Sequence, residues 1–125
     1  MPLKTLDHVN VRTANLAPMI AFYRDVMGME SGWRPNFPFD GAWMYLEGKP
    51  IVHLVEVPED PANEAPKLEH FAIGAEDMAG FRATLDAHDV AYTVDPVPGI
   101  ELVQINLRDP DGNHIHVDFD KAEMG

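Results

Sequence analysis

The sequence contains no cysteine, which excludes disulfide bonds, thiolate nucleophiles and zinc sites built from cysteine. Any bound metal must therefore be held by histidine, aspartate or glutamate. Positive charge is also scarce, because 9 Lys and Arg stand against 21 Asp and Glu, giving a formal net charge of −12. Such a chain repels phosphate backbones and anionic lipids, so we expect neither a nucleic acid partner nor a membrane partner.

Long hydrophobic runs are absent as well. The longest apolar stretch, residues 16–23, is far too short to span a bilayer. The chain passes from its first four residues directly into a strand-like run, without a secretory pattern, and we therefore expect a cytoplasmic protein. A length of 125 residues, 46% of them hydrophobic, favours a single domain over residues 1–125.

The two halves of the chain repeat each other. Residues 6–11 (LDHVNV) superimpose on residues 68–73 (LEHFAI) at an offset of 62, and residues 51–55 (IVHLV) superimpose on residues 114–118 (HIHVD) at an offset of 63. In each half a strand pattern leads to a helix-capping residue, Asn15 or Asp77, and then to apolar residues at helical spacing. The repeat therefore predicts two copies of one supersecondary unit.

The remaining segments read as strands and turns. Strand patterns occupy residues 42–46, 51–57, 90–94, 101–107 and 114–119, and turn residues occupy 47–50 and 109–113. The proline-rich residues 58–67 form a connector between module one (1–57) and module two (68–120). We predict an α+β fold of paired βαβββ modules, with a curved, mixed, mostly antiparallel sheet around a metal-binding cup.

Four of the six histidines occupy equivalent positions in the repeat. His8 corresponds to His70 and His53 to His116, and within each strand the alternate residues share a face. Units packed about a pseudo-twofold axis would direct such side chains at one centre. Neutral imidazole is a good ligand for zinc, nickel or iron. We therefore predict one divalent metal ion held by these four histidines, although duplication alone can also produce matching histidines without function.

The sequence resembles the glyoxalase, bleomycin-resistance and extradiol-dioxygenase superfamily over nearly its whole length. The resemblance rests on residues 6–11, residues 51–54, residues 69–73 (EHFAI) and the terminal residues 109–116 (DPDGNHIH). It implies paired βαβββ modules, a divalent metal (zinc, nickel, iron or manganese), and a homodimer whose metal site is in some relatives shared between chains. It matches His8 and His70 to the first-strand histidine of each module and His53 to a position that is Glu, Gln or His in relatives.

His116 departs from this likeness, because relatives usually carry a metal-binding glutamate at its position. Four neutral imidazoles leave the site with the full charge of the ion, which lowers the pKa of bound water and favours anionic chelators. The site then lacks an adjacent carboxylate base, so we expect His116 to be a ligand or to act as the base itself. A closed tetrahedron would be a structural zinc site, whereas open positions suit catalysis.

Several further residues are candidates for substrate binding. Asn10 shares strand parity with His8, and the aromatic segment 33–41 with Trp43 and Tyr45 beyond it is suited to wall an apolar pocket. Arg34 is the candidate anion clamp. Core or dimer packing explains the same aromatic residues equally well. His114 and Asp118 share parity with His116, and Asp118 is a candidate to orient an imidazole.

Two classes of function remain open, an enzyme and a non-enzymatic binding protein. The first candidate enzyme is a metal-dependent lyase or isomerase that binds a small oxygenated substrate through adjacent oxygens while a histidine moves a proton. A ferrous dioxygenase that opens a catechol-like ring is the enzymatic alternative, and His116 counts against it because such sites normally use two histidines and a carboxylate. A thiol transferase has less support, since no basic cluster is evident. The non-enzymatic alternative is a resistance protein that binds a small molecule or antibiotic.

Overall fold

The computed structural model describes residues 2–62 and 64–124. The chain divides into two compact units, Met1–Ala62 and Asn63–Gly125. The boundary between the units falls inside the predicted connector, whose described residues form neither helix nor strand.

The first unit contains one helix and one four-stranded sheet. Its elements are β1 (Val9–Thr13), α1 (Leu16–Asp25), β2 (Glu30–Gly32), β3 (Gly41–Leu46) and β4 (Lys49–Glu56). The strand order is β1-β4-β3-β2, with β1 parallel to β4 and the other neighbours antiparallel. The βαβββ module is thus complete within the unit.

The second unit repeats this arrangement. Its elements are β5 (His70–Gly74), α2 (Met78–Ala87), β6 (Tyr92–Pro96), β7 (Leu102–Arg108) and β8 (His114–Asp120), followed by a short 3₁₀ helix at Lys121–Met124. The strand order is β5-β8-β7-β6, again with one parallel pair, β5 and β8. Both sheets are curved and mixed, which confirms the predicted α+β class of paired βαβββ modules.

Alternation along the strands gives each sheet one apolar face. On β7 the residues Val103, Ile105 and Leu107 are buried, and on β8 the buried apolar residues are Ile115, Val117 and Phe119. Helix α2 buries Met78 and Leu85, and Phe81 contacts Phe119 with ring centroids 5.9 Å apart. In the first unit, α1 buries Met19, Phe22 and Tyr23, while β3 and β4 bury Ala42, Met44, Val52 and Leu54. The alternate residues therefore lie on the opposite, polar face, which carries the histidines.

Some element boundaries differ from the prediction. Strand β1 begins at Val9 rather than Leu6, because its pairing with β4 begins at Val9 opposite Val52. His8 therefore immediately precedes the strand instead of lying within it. The short β2 was not located from the sequence, because it has no apolar alternation and is defined by its pairing with β3.

The two predicted helix caps behave differently. The Asp77 side chain accepts a hydrogen bond from the Gly80 amide, as expected. The Asn15 side chain makes no capping hydrogen bond, so this part of the prediction is wrong. The Asn15 amide instead donates to Thr13 Oγ1, and its carbonyl accepts from the Met19 amide. Within residues 2–62 and 64–124, neither helix combines the length and apolar character that crossing a bilayer requires.

Candidate metal centre

In the first module, His8 and His53 lie in direct ring contact. The two imidazoles stack with centroids 3.9 Å apart and an interplanar angle of 8°. The strand register explains the contact, because His53 on β4 lies opposite Asn10 on β1, and His8 precedes Asn10 by two residues on the same side. The two predicted ligands of the first module therefore lie side by side.

The ring of His53 is also stacked on Trp43. Trp43 lies opposite His53 in the register of β3 and β4, and the two ring centroids are 4.0 Å apart. Because His8 and Trp43 both stack on the same imidazole, His53 lies between them. Its Nε2–H donates to the Pro50 carbonyl at 3.0 Å, which leaves the lone pair on Nδ1. Asn10, His53 and Trp43 thus occupy neighbouring positions on three strands.

In the second module, His70 and His116 form the equivalent stacked pair, with ring centroids 3.8 Å apart. A third histidine joins them. His114 lies opposite His70 in the register of β5 and β8, and its centroid is 4.7 Å from that of His116. The three side chains offer one nitrogen each within 4.8 Å of one another, a spacing suited to a metal ion. His114 had only a minor place in the sequence interpretation.

A carboxylate precedes the first histidine of each pair and binds its ring. His8 Nδ1–H donates to Asp7 Oδ2 at 2.7 Å, and His70 Nδ1–H donates to Glu69 Oε2 at 3.2 Å. Glu69 Oε2 also accepts a hydrogen bond from His114 Nδ1 at 2.5 Å. These contacts leave the lone pair of His8 and of His70 on Nε2, where a metal could bind.

The second histidine of each pair favours its neutral form. Burial lowers the pKa of His53, and the nearby His8 lowers it further. Burial also lowers the pKa of His116, with His70 and His114 as further causes. A neutral imidazole carries the lone pair that a metal requires. The hydrogen bond from His114 is the largest cause that lowers the pKa of Glu69, which keeps this carboxylate ionised.

The donor set fits a divalent metal. His116 Nδ1 is buried and has no hydrogen-bond partner in the described part of the chain. Burying a polar nitrogen without a hydrogen-bond partner costs free energy. Binding of a metal by His116 Nδ1 would explain why this nitrogen is buried without one. Imidazole nitrogens of this kind suit zinc, nickel, iron or copper.

An aromatic cluster adjoins the first histidine pair. It consists of Trp33, Phe37, Phe39 and Trp43. Trp33 and Phe37 contact Trp43 with centroids 6.2 and 6.4 Å away, and Phe37 stacks on Phe39 at 5.1 Å. Trp33 is 73% exposed, and Phe37 and Phe39 are about 40% exposed, at 39% and 42%. Trp33, Phe37 and Phe39 are therefore not part of the buried core of this module.

The other predicted substrate residues lie at the edge of this cluster. The Arg34 guanidinium carbon lies 5.1 Å from the Phe37 centroid and 5.6 Å from that of Phe39, and Nη2 donates to the Phe39 carbonyl. Its Nε is buried without a hydrogen-bond partner among the described residues. The Tyr45 hydroxyl donates to the Trp33 carbonyl at 2.5 Å. Both residues hold the loop after β2 in place, and the anion-clamp role of Arg34 stays a prediction.

An open groove of about 530 Å³ lies elsewhere on the first module. It is lined by Gly28, Glu30, Ser31, Gly32, Trp33, Tyr45, Leu46, Glu47 and Gly48. No histidine is part of this lining. The groove is therefore separate from the stacked pair, although it shares Trp33 with the aromatic cluster.

The sequence interpretation missed Glu69. The available signal was the repeat itself, since an acidic residue precedes the histidine in both LDHVNV and LEHFAI. Asp118, which was considered as an orienting group, has a buried Oδ1 without a hydrogen-bond partner in the described part of the chain. Asp7 and Glu69 are the carboxylates that hydrogen-bond the rings of His8 and His70.

A family comparison matches residues 5–117 to the model of the Glyoxalase/Bleomycin resistance protein/Dioxygenase superfamily. Among curated proteins, a manganese-dependent 2,3-dihydroxybiphenyl 1,2-dioxygenase from Geobacillus genomosp. 3 is 29% identical over 121 residues, which cover 89% of this chain. The matched part is 38% of that protein's length.

Solved structures share the fold. A glyoxalase family protein from Bacillus anthracis matches with a TM-score of 0.77 and 23% identity, covering 95% of this chain and 97% of that one. A lactoylglutathione lyase from Agrobacterium tumefaciens matches with a TM-score of 0.73 and 22% identity, covering 98% of both chains. At these identities the likeness concerns the fold alone.

Proposed function

Because the chain belongs to the Glyoxalase/Bleomycin resistance protein/Dioxygenase superfamily, we propose that it is a metal-dependent enzyme of the vicinal-oxygen-chelate type. His8 and His53 of the first module, and His70 and His116 of the second, would each supply imidazole ligands to a divalent metal ion. Zinc, nickel, iron and manganese are the candidate metals. The substrate would be a small molecule with two adjacent oxygens.

One observation carries this proposal: the same stacked imidazole pair recurs in both modules. The centroid separations are 3.9 Å for His8 and His53 and 3.8 Å for His70 and His116. The buried His116 Nδ1, which has no hydrogen-bond partner among the described residues, supports a ligand role for the second pair. Histidines with only a packing role would be expected to have their buried ring nitrogens hydrogen-bonded.

A lyase or isomerase reaction is the favoured chemistry. A divalent ion would polarise the adjacent oxygens of a bound substrate and so acidify a neighbouring C–H group. His116 would be the catalytic residue, a ligand in the resting protein and a proton acceptor during turnover. Its lowered pKa keeps the imidazole neutral near pH 7, as a general base must be.

The first module supplies candidate substrate contacts. Asn10 lies opposite His53 in the strand register and offers an amide for hydrogen bonding. Trp43 stacks on His53 and, with Trp33 and Phe37, presents an aromatic surface next to the imidazoles. Tyr45 holds Trp33 through its hydroxyl. Arg34 would bind an anionic group of the substrate through its guanidinium group.

A ring-cleaving dioxygenase is the second candidate. It is favoured by the aromatic cluster beside His53 and by the 29% identity to a manganese-dependent dioxygenase. The imidazole at position 116 counts against it, because such sites normally combine two histidines with a carboxylate. A small-molecule or antibiotic-binding protein without catalysis is the remaining alternative, and it would bind its ligand without metal.

The reaction class can be tested directly. The chain would be loaded with each candidate metal and incubated with α-hydroxy carbonyl compounds in D₂O and, separately, with catechols under oxygen. We expect exchange of a substrate C–H proton for deuterium by NMR. Oxygen uptake with catechol and no C–H exchange would instead establish the dioxygenase.

Removal of a ligand tests the metal site itself. We expect His70→Ala to abolish tight metal binding, because the second module then loses the ligand that its carboxylate orients. Metal content would be measured by mass spectrometry after dialysis. His88→Ala is the matched control, since His88 lies at the end of α2 and donates to the Thr84 carbonyl. Equal metal content in the two variants would refute the histidine site.

A further inference from the structure

We propose that Asp7 and Glu69 are positioning residues for the metal ligands His8 and His70, and that His114 anchors Glu69 rather than binding the metal. This inference rests on the proposed metal site, and it concerns which polar groups hold the ligand rings. It assigns roles to three residues for which the family likeness implies none.

The two carboxylates occupy equivalent places in the repeat. Each directly precedes the first histidine of its module, and each accepts a hydrogen bond from Nδ1 of that histidine. Two independent modules thus make the same contact with different residues, an aspartate and a glutamate. The contact therefore recurs with the stacked histidine pair, whether the carboxylate belongs to an aspartate or to a glutamate.

An ionised carboxylate accepts hydrogen bonds and cannot donate one. When it binds Nδ1, that nitrogen must carry the proton, and the lone pair is placed on Nε2. The carboxylate also limits rotation of the ring and raises the basicity of the ligand nitrogen. Asp7 and Glu69 therefore select the tautomer in which Nε2 of His8 and of His70 binds a metal.

His114 differs from His70 and His116 because both of its ring nitrogens are hydrogen-bonded. Nδ1 contacts Glu69 Oε2 at 2.5 Å, and Nε2 contacts Asn106 Oδ1 at 3.0 Å. A metal would have to displace one of these contacts. Of the three histidines in the cluster, His114 therefore has the ring nitrogens that are least available to a metal, even though its distance to the other two suits a ligand.

The contact from His114 continues along the polar face of the second module. Asn106 Nδ2 donates to Asp95 Oδ2 at 2.8 Å, and Thr93 Oγ1 donates to the same oxygen at 2.6 Å. Because the Asn106 amide nitrogen is directed at Asp95, its oxygen is directed at Nε2 of His114. The chain of hydrogen bonds from Thr93 to Glu69 holds the carboxylate against His70.

The test compares metal affinity in a set of variants, with zinc as the probe and a chromophoric chelator as the competitor. We expect Asp7→Ala and Glu69→Ala to weaken zinc binding about 10–100-fold, the usual effect of removing a hydrogen-bond partner of a ligand histidine. Glu69→Gln retains an acceptor oxygen and should restore most of the affinity. Glu64→Ala and Asp60→Ala remove the same charge from exposed positions in the connector and should leave affinity unchanged.

A spectroscopic readout separates positioning from general destabilisation. In ¹⁵N NMR spectra of the zinc-loaded protein, His70 should carry its proton on Nδ1, and Glu69→Ala should reduce the population of that tautomer. The His114 variants complete the set. His114→Ala should still bind one zinc per chain with an affinity reduced by less than the loss in His70→Ala, and His114→Gln should recover part of that reduction.

The outcomes separate the two proposals. If His70→Ala abolishes zinc binding while Glu69→Ala behaves like Glu64→Ala, the positioning role is refuted and the metal site stands. If His114→Ala abolishes binding as completely as His70→Ala does, His114 is a ligand and the second half of the inference is overturned. If His70→Ala binds zinc normally, the metal site fails, and the positioning role fails with it.

Discussion

The stacked histidines place titratable groups where protonation opposes folding. Burial is the first cause that lowers the pKa of both His53 and His116, with neighbouring histidines as further causes. In the unfolded chain these groups titrate at the ordinary value of 6.5. Between that value and the lower folded pKa, the unfolded chain binds more protons, so the free energy of unfolding decreases as pH falls.

Glu69 acts in the same direction at lower pH. Its folded pKa lies below the ordinary 4.5, chiefly because of the hydrogen bond from His114. The stability that this carboxylate contributes is present above pH 4.5 and is lost as pH falls through the lower folded value. As pH falls, the protein therefore first loses the stability that depends on neutral His53 and His116, and then the stability that Glu69 contributes.

We predict that the metal-free protein loses stability as pH falls below about 6.5, the ordinary histidine value. Urea unfolding at a series of pH values would measure the dependence. The double variant His53→Asn, His116→Asn lacks both groups and should show a smaller decrease between neutral pH and the onset of carboxylate titration. An unchanged slope in that variant would show that other groups are responsible.

At the scale of single residues, the repeat showed which histidines are equivalent, but it did not show which groups contact each ring. The repeat alone identified His8 with His70 and His53 with His116, because equivalence requires no coordinates. The Trp43 contact with His53 and the His114 contact with Glu69 depend on strand register and side-chain rotamers. A change of register by one residue would place either partner on the opposite face, and register is set by the assembled sheet.

At the scale of elements, the two helix starts form a matched pair. Asp77 accepts from the Gly80 amide and has a left-handed backbone with φ of 66°. Asn15 makes no side-chain capping bond, and its φ is −133°. Of these two equivalent positions, one thus begins its helix with a side-chain capping bond and the other without. Because Asn and Asp are both preferred as N-caps, the sequence could not distinguish the two cases.

We predict that Asp77→Ala destabilises the protein by about 1 kcal/mol, within the roughly 0.5–2 kcal/mol range for lost N-caps, because the bond to Gly80 is removed. The left-handed backbone adds to the loss, since alanine tolerates it less well than Asp or Asn. Asn15→Ala should change the free energy of unfolding much less. Urea unfolding of both variants, with Asp77→Asn as the conservative control, would measure this difference. Equal losses at the two positions would contradict the capping assignment.

The sequence predicted most elements because their signals are local. Helices α1 and α2 followed from apolar spacing, and the later strands of both modules followed from alternation. Strand β2 was not predicted because Glu30–Gly32 shows neither helical apolar spacing nor strand alternation. The strand is defined by its pairing with β3. The start of β1 was misplaced for a related reason, since Leu6 and Asp7 have strand-like neighbours but no partner residues on β4.

At the scale of the whole molecule, the internal repeat was the most informative feature. Two βαβββ units were expected from sequence self-similarity and are observed, and the structure adds that both have the same strand order with one parallel pair. The family likeness also implies a homodimer, which stays a prediction. Light scattering on the purified chain should give twice the mass of one chain, and the mass of a single chain would contradict it.

The central claim is that the histidine pairs of the two modules supply imidazole ligands to a divalent metal ion. X-ray absorption spectroscopy of the zinc-loaded protein tests it most directly, because ordered imidazole rings contribute characteristic scattering beyond the nitrogen shell. We predict that the chain retains zinc, with nitrogen ligands at about 2.0–2.1 Å and scattering from imidazole rings. A zinc bound mainly by oxygen ligands, or a chain that retains no zinc, would contradict the claim.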